Sequence, residues 1–133
     1  MFVTDWGSTK KIERFNMDGS GRKIIYDSHY AWGRSITIDY ATSTIYWGDT
    51  MQNMMASMDI NGDDLKYYQL GHSPNYITVS NSMVYWSDGE MISGFMKNGS
   101  PSNTTVSISE LKGTKISPND IRVYTGYRQP ERM

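Results

Sequence analysis

The chain has 133 residues and a formal net charge of -1, with acidic and basic side chains scattered along it. This length suffices for one domain with a single core, and the scattered charge excludes the concentrated basic surface that nucleic-acid binding needs. Because the chain has no cysteine, disulfides, thiolate metal sites and a cysteine nucleophile are excluded as well.

A four-part phrase recurs about every 40 residues, which is the range in which propeller blades fall. Its most regular part is a short aromatic or apolar run that closes on aspartate. The three copies are Phe2–Asp5, Tyr46–Asp49 and Tyr85–Asp88. The composition is rich in Tyr, Trp, Ile, Thr, Ser and Gly, which favours strands joined by tight turns. We therefore predict an all-β chain.

The first repeat predicts three strands near the start of the chain. One strand begins at Phe2, and a second runs from Ile12 into a polar turn that ends at Gly19. The Asp-Gly pair of this turn supplies the positive φ angle that a hairpin requires. A third strand, Arg22–Tyr26, completes the hairpin.

The second and third repeats each predict four strands. Those of the second repeat are Ser35–Asp39, Tyr46–Asp49, the run from Met54 to Gly62, and Leu65–Gln69. Those of the third are Tyr76–Ser80, Tyr85–Asp88, the run from Ile92 to Gly99, and Thr104–Ile108. Four short antiparallel strands per repeat describe a propeller blade. A sandwich of the same strands is the alternative, although a sandwich does not require so regular a repeat.

The last predicted strand is Asp120–Tyr124, which matches the first strand of each full repeat, Ser35–Asp39 and Tyr76–Ser80. We place the apolar side chains of these three strands on the innermost strands of the propeller. They are Ile36, Ile38, Ile77, Val79, Ile121 and Val123.

Several of these phrases resemble the class B (YWTD) repeats of the low-density lipoprotein receptor family. They are Phe2–Gly7, Lys11–Arg14 with Met17–Gly19, Ile36–Tyr40 and Tyr46–Asp49. The ending Asn119–Tyr124 with Arg128–Pro130 resembles the last strand of that family's propeller. The resemblance implies YWTD-type β-propeller blades, about three of the six in a ring, that correspond to the C-terminal half.

The strand phasing of that family also implies how the chain divides into blades. Residues 1–28 correspond to an incomplete blade with strands two to four. Residues 34–71 and 75–111 correspond to whole blades. Residues 119–125 correspond to the lone inner strand that closes the ring on the first blade.

The same resemblance implies a protein-binding segment of an extracellular or cell-surface receptor with an endocytic or signalling role. The expected partners are a protein ligand or adjacent receptor modules, and we expect no enzyme activity, metal or other cofactor. No basic and apolar leader is visible, and no apolar run approaches the roughly 20 residues of a membrane-spanning helix. Any membrane attachment would therefore come from a parent chain.

The repeated acids Asp5, Asp49 and Asp88 have two interpretations. Catalysis or metal binding would require non-equivalent groups that converge with separated pKa values. Each acid instead occupies the same place in its repeat, where a short acceptor can satisfy backbone donors in a neighbouring loop. We therefore predict a structural role for all three.

Five residues are the candidates for partner contact: Trp32, His72, Tyr76, Trp47 and Trp86. Trp32 is the strongest candidate, because it lies outside the recurring phrases and is not explained by packing within the repeat. Aromatic residues at loop ends are frequent interface anchors. Core packing explains Trp47 and Trp86 equally well, since both belong to the repeat phrase.

His29 and His72 both lie in loops that lead from one blade to the next. Each is explained as a solvated loop residue. Histidine also changes charge between about pH 5 and 8 without perturbation, so titration of His72 at an interface is the second interpretation. Receptors of the resembled family release ligand in acidified endosomes, and some carry a His-Pro loop here, whereas Ser73 separates His72 from Pro74 in this chain.

Two triplets, which begin at Asn98 and Asn103, fit the N-glycosylation pattern in a predicted surface turn. Such triplets also arise by chance, so they are only weak support for a secreted protein. Pro101 directly follows the first triplet and weakens it further.

Two other functions remain open from the sequence. One is a propeller hydrolase with a central divalent metal, which six-bladed folds of unrelated sequence can host. The other is a self-assembling module, in which two copies form six blades about a two-fold axis and exchange residues 119–125. Open blade faces on an isolated arc would favour such a homodimer.

Overall fold

The computed structural model describes residues 1–5, 7–27, 33–98, 104–107 and 121, and every regular element in them is a strand. The strands are β1 (Phe2–Asp5), β2 (Lys11–Arg14), β3 (Lys23–Asp27), β4 (Gly33–Asp39), β5 (Thr44–Asp49), β6 (Met54–Asp59), β7 (Lys66–Gln69), β8 (Tyr76–Val79), β9 (Met83–Ser87), β10 (Met91–Met96) and β11 (Thr104–Ser107). The all-β prediction is therefore confirmed.

The strands form three antiparallel sheets that follow chain order. Sheet A has the order β1-β2-β3, sheet B the order β4-β5-β6-β7, and sheet C the order β8-β9-β10-β11. Each strand pairs with its sequence neighbour, as expected when tight turns join the strands. The predicted four-stranded blades are confirmed in sheets B and C. The division of the chain at residues 28, 34, 71, 75 and 111 stays a prediction, and most of residues 119–125 lie outside the described residues.

The first strands of sheets B and C lie beside each other. The Ser35 hydroxyl of β4 accepts a hydrogen bond from the Ile77 amide of β8, with 3.0 Å between the two atoms. The chain therefore places β4 and β8 on the inner side of the arc, as predicted for the strands that carry Ile36 and Ile77.

Each sheet has an upstream face, toward the preceding sheet in the chain, and a downstream face, toward the following one. In β5 the adjacent residues Tyr46 and Trp47 point to opposite faces, because side chains alternate along a strand. Tyr46 lies in the core between sheets B and C, and Trp47 lies in the core between sheets A and B. Sheet B is thus covered on both faces, which explains its nearly continuous apolar sequence.

Turn chemistry agrees with the sequence at two of the three predicted glycine turns. Gly19 and Gly62 have φ angles of 85° and 100°, in the region that side chains other than glycine rarely adopt. Gly99 lies outside the described residues. The turns therefore place the strands in the predicted hairpins.

We expect Gly48→Ala to lower the free energy of unfolding by about 1–3 kcal/mol, the usual cost of overpacking. A Cβ atom at Gly48 would lie 2.5 Å from the Pro74 carbonyl oxygen, so the strand or the connection between sheets must shift. Urea unfolding followed by tryptophan fluorescence measures the change. Gly71→Ala is the control, since a Cβ atom there meets no other atom within 4 Å. Equal stability of the two variants would contradict the close approach.

Candidate protein-binding face

The turns after β1, β5 and β9 and the connection from β7 to β8 lie at one end of the sheets, because neighbouring strands are antiparallel. Two hydrogen bonds join the connection to the turns after β5 and β9. Ser73 Oγ donates to the Thr50 carbonyl at 3.2 Å, and Asn75 Nδ2 donates to the Asp88 carbonyl at 2.9 Å. We call this end the loop face, and it consists of residues 7–10, 34, 49–53, 70–76 and 88–90.

The three repeated acids, Asp5, Asp49 and Asp88, hold the turns of the loop face. Their Oδ1 atoms accept backbone hydrogen bonds from Gly7 (2.9 Å) to Asp5, from Met51 (2.9 Å) and Gln52 (3.1 Å) to Asp49, and from Glu90 (2.8 Å) and Met91 (2.9 Å) to Asp88. These donors belong to the turn that directly follows each acid, whereas the sequence suggested a neighbouring loop. The acids therefore fix the shape of the turns that a partner would meet.

Asp88 also carries an altered acidity. Partial burial raises the pKa of Asp88, but hydrogen bonds from the Met91 and Glu90 amides, together with the nearby His72 ring, outweigh that effect and hold the pKa below its usual value. Asp88 is therefore a fixed negative charge at neutral pH, at the edge of the loop face.

His72 is enclosed by neighbouring side chains, so the first interpretation from the sequence, a solvated loop residue, is wrong. Its side chain is only 11% exposed, and its ring stacks on Trp86 with 5.4 Å between centroids. Nε2 lies 2.7 Å from the Ser93 hydroxyl. Nδ1 lies 3.2 Å from Asp88 Oδ2 but is not aligned for a hydrogen bond, so that contact is electrostatic. His72 thus anchors the connection between sheets B and C to sheet C.

Tyr76 and Arg34 form a pair near the inner edge of the loop face. The Arg34 guanidinium carbon lies 6.0 Å from the centroid of the Tyr76 ring, which is the range of a cation–π contact. Arg34 is exposed and Tyr76 is half-buried. Sequence reasoning found Tyr76 but missed Arg34, although Arg34 directly precedes the predicted strand that begins at Ser35.

Trp47 and Trp86 are buried in the cores between sheets. Trp47 is 2% exposed and Trp86 is 4% exposed. Burial favours the packing interpretation for both residues, because neither ring offers an open surface. The accessible side chains at the described part of the loop face include Tyr76, Arg34 and Met51.

Trp32, the strongest candidate from the sequence, lies outside the described residues, as do His29 and Asn103. Asn98 is described and is exposed, which its predicted glycosylation requires. Contact through Trp32 therefore stays a prediction.

Among the described residues, no three acidic, histidine or cysteine side chains converge to hold a metal ion. That same part of the chain holds no helix of the length and apolarity needed to cross a membrane. The loop face itself carries the Tyr76 ring, the Arg34 guanidinium and the repeated acids.

Comparison with curated proteins finds relatives that match part of the chain. The chain is 33% identical over 92 residues to the vitellogenin receptor of Solenopsis invicta, a match of 68% of this chain and 5% of the receptor. It is 29% identical over 82 residues to protein cueball of Drosophila sechellia, a match of 58% of this chain and 13% of cueball. The chain therefore spans only a small part of each relative. No family model matches the chain.

Comparison with solved structures identifies the fold. A β-propeller chain in the crystal structure of the nidogen/laminin complex matches with a TM-score of 0.77 at 20% sequence identity. The match covers 92% of this chain and 47% of that one. The three sheets are therefore blades of a propeller, in an arc that corresponds to about half of the solved chain.

Proposed function

This chain is a run of class B (YWTD) β-propeller repeats of the low-density lipoprotein receptor kind, and we propose that it is an extracellular protein-binding segment of such a receptor. The observation that carries the proposal is the likeness to the vitellogenin receptor over two thirds of the chain. The relative in sequence is named as a receptor, and the structural neighbour comes from a protein complex. Both names support a binding role and not catalysis.

The loop face is the proposed docking surface. Its turns are held by Asp5, Asp49 and Asp88, so a partner would meet a preformed surface and lose little free energy in ordering it. The exposed side chains of Met51 and Arg34 lie on this face. Methionine and arginine are both enriched at protein interfaces. Stacking on an aromatic ring also restricts the conformation of the arginine side chain before a partner binds.

Trp32 is the proposed anchor, and Trp32→Ala is expected to weaken partner binding by about 2 kcal/mol or more. The vitellogenin receptor and the solved nidogen/laminin complex supply the probes, purified vitellogenin and purified laminin, in surface plasmon resonance with the chain immobilised. Tyr40→Ala is the matched control. Tyr40 is 77% exposed and lies in the turn after β4, at the end of sheet B opposite the loop face.

Two outcomes would overturn this proposal. If neither probe binds the wild-type chain at micromolar concentration, the partner class taken from the relatives is wrong. If a probe binds and Tyr40→Ala weakens binding as much as Trp32→Ala does, Trp32 is not the anchor. Circular dichroism of both variants checks that each remains folded.

A further inference from the structure

The two interfaces between sheets follow the same rule. A downstream aromatic of one sheet packs beside an upstream tryptophan of the next: Tyr26 contacts Trp47 between sheets A and B, with ring centroids 4.9 Å apart. Between sheets B and C, Tyr46 and Trp86 share one core, and Tyr68 stacks on Phe95 at 4.9 Å. In both junctions, the downstream face of one blade therefore packs on the upstream face of the next through aromatic side chains.

Among the described residues, the upstream face of sheet A has no sheet packed on it. Val3 occupies the place of Trp47 and Trp86 in the repeat and is 39% exposed, and Ile24 on the same face is 49% exposed. Glu13, paired with both in the strand register, is buried and bound by Arg22 at 2.7 Å and by Lys11 at 3.3 Å. The face thus combines exposed apolar side chains with a carboxylate that is already paired.

The downstream face of sheet C is its counterpart. Tyr85 is at the repeat position of Tyr46, and Trp86 points the other way, into the core with sheet B. Three further side chains on this face are apolar and half-buried. They are Met83, Ile92 and Met96.

A paired change links the two terminal faces. Between sheets B and C, the carboxylate of Asp39 accepts a hydrogen bond from the Lys97 ammonium, and both side chains are largely buried. At the repeat position of Asp39, sheet C carries Ser80, and at the position of Lys97, sheet A carries Met17, which is 84% exposed. The downstream face of sheet C therefore lacks the acid of this ion pair, and the upstream face of sheet A lacks the base. A contact between these two faces needs neither charge.

We propose that two copies of this chain form one ring, in which the downstream face of sheet C in each copy packs on the upstream face of sheet A in the other. The arc corresponds to 47% of a solved propeller chain, so two such arcs correspond to about one whole ring. Both junctions are the same contact repeated about a two-fold axis, which closes the assembly. Ser80 then lies near Met17 of the second copy. This inference is independent of the proposed partner.

The test is sedimentation velocity of the purified 133-residue chain, with a discrete, folded species of twice the 15.2 kDa chain mass expected. Ser80→Asp is expected to raise the dimer dissociation constant about 30-fold or more, because it buries an unpaired carboxylate at the junction. The Ser80 hydroxyl accepts a hydrogen bond from the Met83 amide at 3.0 Å, and an aspartate carboxylate can accept the same bond. Adding Met17→Lys is expected to restore the dimer by recreating the ion pair.

Three results would overturn the ring. A well-folded monomer shows that other blades, and not a second copy, cover the terminal faces. Open polymers or amorphous aggregates show that the contact does not close. A stable dimer that Ser80→Asp leaves unchanged, or that Met17→Lys fails to rescue after Ser80→Asp has broken it, shows that the copies meet elsewhere.

Discussion

Replacing Lys97 with methionine is expected to lower the free energy of unfolding by about 3–5 kcal/mol, the cost of leaving a buried charge without its partner. The Asp39 side chain is 0% exposed, and that of Lys97 is 12% exposed. The Asp39 carboxylate also accepts hydrogen bonds from Thr42 Oγ1 at 2.8 Å and from the Ala41 amide at 3.2 Å. Those neutral donors remain in the variant, but they do not balance the negative charge.

Urea unfolding of the variant and of two controls measures the effect. Lys66→Met removes a lysine whose pair with Asp64 is 2.7 Å long but exposed, with side chains 57% and 69% accessible, so its effect is expected to stay below about 1 kcal/mol. The double variant Asp39→Asn with Lys97→Met removes both charges and should recover much of the lost stability. Equal effects of Lys97→Met and Lys66→Met would contradict a buried, structurally required pair.

The ion pair between Asp39 and Lys97 could not be predicted from the sequence. The repeat located the hairpins because each is local, with turn residues and alternating side chains a few positions apart. Asp39 and Lys97 are 58 residues apart and belong to different blades. Their contact depends on how two sheets pack, and no short-range pattern encodes that arrangement.

The loop face illustrates the same limit at the candidate site. The sequence indicated a structural role for the repeated acids but placed their donors in a neighbouring loop, whereas each acid binds amides of the turn that follows it. It left His72 open between a solvated loop residue and an interface residue, since a loop position alone does not show that Trp86 and Ser93 enclose the ring. The stacking of Arg34 on Tyr76 was missed for the same reason, because β4 and β8 meet only in the folded arc.

The tryptophans of the repeat phrase were open to two interpretations from sequence alone. Aromatic side chains fill cores and also anchor interfaces. Only packing on both faces of sheet B distinguishes the two, because it places Trp47 between sheets and leaves Tyr67 of the same face at the rim, 56% exposed. Exposure therefore had to come from the structure.

Trp47→Ala is expected to lower the free energy of unfolding by about 3–5 kcal/mol, because a large side chain is removed from a core that relaxes only partly around the cavity. Trp47 packs on Tyr26 and shares its core with Ile12 and Met58. Differential scanning calorimetry and urea unfolding measure the loss, and Trp47→Phe should cost less because it keeps a ring in the core. Tyr40→Ala, at an exposed turn, should change stability by no more than about 0.5 kcal/mol. A Trp47→Ala chain as stable as Tyr40→Ala would show that sheets A and B do not pack as described.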